Sequence, residues 1–449
     1  MTSWSGASIL GDGATTAPTV PAGLQFDSGF TYASAYEGNF TGDGRKSNIA
    51  VLSANQVVGQ GNKYFQQLSV MDASAGTPEL IVIDDSVGEI QGIAYNQIQQ
   101  NLHIVTGDLN GDGLDEIIVM AGTATGGISV LCYYLPKDAG SDVWKTPSNW
   151  KKTILGGINN TRGFMPGITH SIAAGDLNRD GCDDIAYTFT EEDGDNITYI
   201  LYGEKDYNLA TGYGLKGNSI NLPDLEPPRP PYGGTYTKKA QHGVAIADVD
   251  GKPGKELLIG FTYQMKFTDA PNYIFNQDRQ YGDAVEVFTY DYAENNMLRI
   301  AGANTNPLIL GLMHAGTNIN LDTVSAAVVT ANTYYGINER PAVMLNGRLY
   351  KYNKDQDAYA SDADLFQYSM GDLIEKVTFF SVRPVTLNGS EYGIAYHYKY
   401  DTGSGYDYYM GILYRSGSSS HQIIGTAAGA GALATRRISL PCRIRTWTP

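Results

Sequence analysis

The run TGDLNGDGLDEIIVMAG (106–122) places oxygen-bearing side chains at alternate loop positions: Asp108, Asn110, Asp112 and, at position 9, Glu116, with Gly113 at position 6. A short loop wraps a hard cation in this way. Alternate residues turn inward, a glycine permits the sharp turn, and a backbone carbonyl, here that of Leu114, fills position 7. Calcium is the ion that fits such a set best. An EF-hand loop would need a carboxylate at position 12 and helices on both sides. Here position 12 is Val119, and the flanks NLHIVTG and IIVMAG read as strands.

The loop recurs. AAGDLNRDGCDDIAYTF (173–189) repeats it with Asp176, Asn178, Asp180, the Cys182 carbonyl and Asp184. AIADVDGKPGKELLIGF (245–261) repeats it more loosely with Asp248, Asp250 and Glu256, but Lys252 stands at position 5, where an ammonium would replace the ion. EGNFTGDGRKSNIAVLS (37–53) carries Asn39, Thr41 and Asp43, with Lys46, Ser47 and Asn48 where the last acid should be. First positions fall at 39, 108, 176 and 248, spaced by 69, 68 and 72 residues. A period that regular is a repeat architecture.

Strands must position these loops. The second unit reads NLHIVTGD, the loop, DEIIVMAG, GISVLCYYL and WKKTILGG; the third and fourth follow the same order, the third with a long loop after ITYILYG. Two further units, 324–347 and 379–400, keep the rhythm of the first two strands without the carboxylates. Four antiparallel strands per unit, repeated around a ring, make an all-β fold of the β-propeller type. Six blades are visible. SWSGASILGD (3–12) looks like an outermost strand with no partners before it, which predicts a seven-bladed ring closed by that strand; a closed six-bladed ring is the alternative. The expected domain is 1–433, with 434–449 a basic tail that matches no blade strand.

Composition bounds the rest. The 449-residue chain has 53 Gly, 32 Tyr, 17% charged residues and a net charge of −16. No cluster of Lys and Arg stands out, which argues against a nucleic-acid partner. No apolar run is long enough for a membrane span. Cys132, Cys182 and Cys442 are too few and scattered for a disulfide framework or a zinc site. The opening residues lack a basic start followed by an apolar core. Because such calcium loops fill where calcium is millimolar, we expect an extracellular or cell-surface protein whose natural N-terminus is missing from this chain.

Tandem Asp-x-Asn-x-Asp-Gly-x-x-Asp/Glu loops between strands resemble the FG-GAP/VCBS repeats of integrin-α-like β-propellers, over about residues 30–425. The resemblance implies calcium in the loop joining the first two strands of a blade, at Asp108, Asn110, Asp112, Leu114 and Glu116 and at Asp176, Asn178, Asp180, Cys182 and Asp184. The other two loops depart from the pattern, so their residues are weaker ligands. Such an ion supports the fold and leaves function to one face of the ring.

His170 and His242 each precede the first ligand of their loop by six residues, so strand periodicity puts both on the same side of equivalent strands. They are the candidate acid–base or metal pair, set against the plainer reading of two histidines bonded to neighbouring loops. Tyr-rich, Gly-rich stretches at 198–217, 227–239 and 398–414 offer rings for sugar stacking or protein contacts, and the segment 203–240 reads as an exposed, function-bearing loop. No Gly-x-Ser-x-Gly, His-Glu-x-x-His or phosphate-cradling loop is present. The leading expectation is a binding module for carbohydrate or protein. The alternative is a metal-dependent hydrolase or polysaccharide lyase acting at the channel mouth.

Overall fold

The computed structural model describes residues 26–57, 59, 61, 63–72, 80–91, 102–123, 127–136, 142–158, 171–190, 196–212, 214–221, 234–267, 280–294, 296–299, 312–315, 328–331, 340–345, 348–354, 358–364, 377–387, 391–401, 406–414 and 419–427, with the backbone alone in part of these strands. Six antiparallel sheets follow one another along the chain. The first contains β1 (Phe26–Gly38), β2 (Asn48–Val57), β3 (Lys63–Asp72) and β4 (Ile81–Gln91). The second contains β5 (His103–Gly107), β6 (Glu116–Gly122), β7 (Ile128–Tyr134) and β8 (Lys151–Ile158). The third contains β9 (Ser171–Gly175), β10 (Asp184–Thr190), β11 (Asn196–Leu201) and β12 (Gly217–Asn221). In the fourth, β13 (Gly234–Ala247), β14 (Glu256–Phe267), β15 (Gln280–Asp291) and β16 (Asn296–Arg299) are joined by β17 (Leu312–Ala315), which pairs with β15. The fifth holds β18 (Val328–Ala331), β19 (Ala342–Leu345), β20 (Arg348–Asn353) and β21 (Ala358–Asp364), and the sixth β22 (Val377–Leu387), β23 (Glu391–Asp401), β24 (Tyr406–Tyr414) and β25 (Ser419–Ala427).

Each sheet is a meander in chain order, as propeller blades are, and the first strands of successive sheets touch: β1 meets β5, β5 meets β9, β9 meets β13, β13 meets β18 and β18 meets β22. The reason lies in the alternation of the sequence and in the sandwiching. Every residue of β6, EIIVMAG, is buried, because both faces of this sheet are covered by neighbours. The first and second sheets are tied by Gln66, whose side-chain oxygen accepts from the Gly122 amide at 2.8 Å and whose amide donates to the Met120 carbonyl at 3.3 Å. Each buried Ile, Leu or Val in this stack contributes about 1.5–3 kcal/mol.

The six units read from the sequence are found as six sheets, each with four strands in chain order. Six sheets lie among the described residues, and each has its own fourth strand, the sixth taking Ser419–Ala427, the HQIIGT segment, as its outer one. No described sheet waits for a strand from elsewhere. Residues 3–12 and 434–449, on which the closure and tail expectations rest, lie outside the described residues. The reading of 203–240 is corrected in its first half. Leu209 is 2% exposed in a 3-10 turn (Leu209–Thr211), and Gly217–Asn221 is the outer strand of the third sheet.

Candidate functional site

In sheets two, three and four, the loop joining the first two strands starts after the strand residue that pairs with position 9: Gly107 with Glu116, Gly175 with Asp184, Ala247 with Glu256. Position 2 is an apolar plug, with Leu109, Leu177 and Val249 at most 2% exposed. Burying that plug strands its backbone N–H, and the position-9 carboxylate accepts it: Leu109 to Glu116 at 2.7 Å, Leu177 to Asp184 at 2.7 Å, Val249 to Glu256 at 2.8 Å. An unmet buried N–H would cost about 1–3 kcal/mol. The first loop solves the same problem with one extra residue. Gly38 pairs with Asn48, and the Asn48 side-chain oxygen accepts the Phe40 N–H at 3.2 Å. A neutral amide thus stands where the other loops have an acid.

Position 4 is left-handed in all four loops: Gly42 (φ 72°), Gly111 (φ 69°), Arg179 (φ 60°) and Gly251 (φ 71°). Onto this position packs a residue of the next sheet's loop. A Cβ at Gly42 would lie 3.3 Å from Leu114 Cδ2, and one at Gly111 3.2 Å from Cys182 Sγ. At the third and fourth loops the sizes are exchanged, and Gly254 leaves room for Arg179, whose Nε would lie 2.5 Å from a Cβ there. From the fifth sheet, Arg340 reaches over Gly251 and donates to the Val249 carbonyl at 3.0 Å. Position 8 staples the same joints. The Asp115 amide donates to the Asn39 carbonyl at 2.8 Å while its carboxylate accepts the Asn39 N–H at 2.9 Å. Asp183 does the same to Asp108, at 2.7 and 3.2 Å. The segment after β11 joins this stack, Glu204 and Asp206 donating to the Leu109 and Asn110 carbonyls at 3.0 and 2.8 Å.

The expected ion ligands are positioned unequally. In the second loop, both Asp108 oxygens accept loop amides, from Asp112 at 3.1 Å and Gly113 at 2.9 Å, and Asn110 and Asp112 accept from Asp112 and Leu114, each at 2.9 Å. Burial and the nearby Asp112, Asp108 and Asp115 push the Glu116 carboxyl well above its ordinary range. In the third loop, Asp176 Oδ2 accepts from Gly181 at 3.2 Å, whereas its Oδ1 is buried with no hydrogen-bond partner among the described residues. Asn178 and Asp180 turn onto the amides of Asp180 and Cys182 at 3.1 and 2.8 Å. Burial, with Asp180 and Asp176 adding to it, lifts Asp184 to about 7.

The fourth loop, expected to be weaker, gathers its acids most closely. One oxygen each of Asp248, Asp250 and Glu256 lie within 4.8 Å of one another, and among the described residues no other group of acids, histidines or cysteines does so. Three ionised carboxylates this close would repel by roughly 3 kcal/mol per pair at an effective dielectric constant of 20. Burial and the two aspartates lift Glu256 to about 7, and Lys252 pairs with Asp250 at 3.0 Å, as its place in the loop predicts. In the first loop, Asn39 accepts from Thr41 at 3.3 Å and from Gly42 at 3.1 Å, and Asp43 accepts from Arg45 at 2.9 Å. These bonds are turn chemistry, and the loop offers a single acid.

No family model matches the chain, and no curated protein matches it. The resemblance to FG-GAP/VCBS repeats therefore stands on the loop residues alone. Among solved structures, the chain is similar to the lectin of Aleuria aurantia, described as a six-bladed β-propeller with a novel mode of fucose recognition, at 11% identity and TM-score 0.40 over 91% of this chain and 99% of that one. It is similar to AofleA from Arthrobotrys oligospora, at 8% identity and TM-score 0.39 over 90% of each chain. It is also similar to the β-propeller domain of Nup133 from Vanderwaltozyma polyspora, at 9% identity and TM-score 0.29 over 90% of this chain and 100% of that one. TM-scores below 0.5 leave these likenesses too distant to carry a conclusion about this chain.

Of the histidine pair, His170 lies outside the described residues, and His242 falls in β13 with its side chain outside them. The tyrosines of 398–414 are strand residues of β23 and β24. Residues 227–233 lie outside the described residues. Sequence reading missed the position-8 staples, Asp115 and Asp183. It also missed Arg340 and the aromatic pile Tyr202, Tyr290 and Tyr292, whose successive rings meet edge-on at 5.2 Å.

Proposed function

We propose that this chain is a calcium-stabilised β-propeller that binds carbohydrate through the face carrying the loops. The observation that supports it best is the ladder of joints: plugs and braces within the loops, with staples from Asp115 and Asp183 and the reach of Arg340, tie neighbouring loops together, so one face spans several sheets. Rigid scaffolds that present loops on one face are where binding sites are built. Aromatic rings reach that face between the third and fourth sheets, and such rings stack on the apolar faces of sugars.

The donor sets fit a hard cation. The buried, unpartnered Asp176 Oδ1 and the crowded acids of the fourth loop are both groups that a divalent ion would satisfy. Asp176, Asn178, Asp180, the Cys182 carbonyl and Asp184 would hold one calcium; at Asp248, Asp250 and Glu256 a second ion would compete with the Lys252 ammonium. The ion supplies charge neutralisation and nothing else; the residues of the loop set the turn. Millimolar calcium, the extracellular condition, is where such loops fill.

A glycan array probed with calcium-loaded protein tests the binding reading, run beside a screen of ester, phosphoester and uronate substrates. Retention of a defined set of glycans without turnover is the expected result. Turnover that disappears in His170→Ala or His242→Ala would replace this reading with the enzyme.

A further inference from the structure

Two arginine–tyrosine pairs sit at consecutive joints and are engaged to different degrees. Arg340 stacks on Tyr352 at 3.4 Å and donates to the Val249 carbonyl, while Tyr359 donates to the Pro341 carbonyl at 2.9 Å beside it. That guanidinium is occupied. Arg179 stands 5.6 Å from the Tyr292 ring and donates to no group among the described residues. Three lysines of the loops each have an acid in reach: Lys46 at Asp115, Lys252 at Asp250 and Lys255 at Asp183. In a chain with a net charge of −16, a guanidinium without a carboxylate partner is an open anion-binding group.

The backbone says the same. Position 4 is glycine in the three other loops, where the left-handed conformation costs nothing, whereas in the third loop Arg179 adopts φ 60° with a side chain. A non-glycine residue held there costs on the order of 1 kcal/mol, and such strain is kept where a side chain has work to do. Gly254 is the matching concession, because any Cβ there would strike the guanidinium. Beside Arg179, Tyr292 is 53% exposed, one of two large hydrophobic residues so exposed among the described residues. Its ring rests on Tyr290, which rests on the buried Tyr202, so the ring is propped from the core upward.

We infer that Tyr292 and Arg179 form a subsite for an acidic sugar, a hexuronate unit of a saccharide. The ring gives a plate for the C–H face of the pyranose, and the guanidinium fork takes the carboxylate. The assignment rests on the carbohydrate reading above. A neutral sugar would use the ring and leave the guanidinium without its charge partner, so the order of preference is uronate over neutral.

Calorimetry in constant calcium with galacturonate and glucuronate oligosaccharides, beside their carboxyl-reduced neutral forms, tests this. Wild-type protein should bind one uronate series at least about tenfold more tightly than its neutral form, with the advantage shrinking as salt rises. Arg179→Ala should abolish that advantage, Arg179→Lys should restore part of it, and Tyr292→Ala should weaken both forms; all three should melt with the wild type. Unchanged uronate affinity in Arg179→Ala, in protein that still retains saccharide, overturns the subsite alone. A wild type that retains no saccharide on the array defeats the carbohydrate reading itself.

Discussion

The joint between the second and third sheets and the joint between the third and fourth use the same loop positions with the parts exchanged. At the former, Gly111 is the hole and Cys182 the knob, and Asp183 staples the Asp108 amide. At the latter, Arg179 is the knob and Gly254 the hole, and position 8 is Lys255, which turns back to Asp183 at 3.9 Å. The former joint is closed by a buried thiol and a half-buried carboxylate. The latter presents a guanidinium and an exposed phenol ring. The difference teaches where this repeat departs from structural service: the buried Cys182 fills its hole and bears on stability, whereas the exposed Arg179 only lies over Gly254 and puts a cationic fork on the face.

The largest expected effect is on the braces that both joints share. Asp184 and Glu256 are lifted to about 7 from 3.8 and 4.5, first by burial and then by neighbouring acids. A carboxyl group raised in the folded state contributes stability that is fully present below its unfolded value and is lost as pH rises through its folded value. Chelated protein should therefore lose several kcal/mol between about pH 4 and pH 7, and millimolar calcium should remove much of that slope. Urea unfolding across this range, with and without chelator, checks it; a flat profile in chelator would contradict it.

Next comes Gly254→Leu, which places a side chain at φ 113° and pushes the exposed Arg179 side chain aside; it should cost about 1–3 kcal/mol, mostly as backbone strain. Adding Arg179→Gly should return part of the loss, leaving the backbone strain. A double-mutant cycle with no coupling would sink the knob-and-hole account. Cys182→Gly, which empties the hole at the other joint, should cost about 2 kcal/mol and gain nothing from Arg179→Gly. Smallest is the staple: Asp183→Ala should cost about 1 kcal/mol, whereas Lys255→Ala should stay within about 0.5 kcal/mol, since its half-exposed ion pair is long.

The sheets were legible because alternation and turn residues mark strands whatever their neighbours, and the loops because acids at 1, 5 and 9 have few other uses. What was not legible depended on the next sheet. Asp115 and Asp183 look redundant until the preceding loop is packed against them. Asn48 takes the brace only because the first loop carries one more residue, which strand pairing reveals and spacing alone does not. The fourth loop looks weak for its Lys252, yet its three acids converge although Lys252 engages Asp250 through both its ammonium and its backbone N–H. Arg340 sits in a unit whose acids are gone, so no loop pattern pointed to it.

The claim that the third–fourth joint carries function while its neighbours carry structure is tested most directly by one paired measurement, melting temperature and uronate-saccharide affinity for Arg179→Ala beside Arg340→Ala. Loss of affinity with an unchanged melting temperature in Arg179→Ala, and a lowered melting temperature with retained affinity in Arg340→Ala, is the predicted result. The reverse pattern, or equal losses of stability in both with affinity untouched, would contradict it.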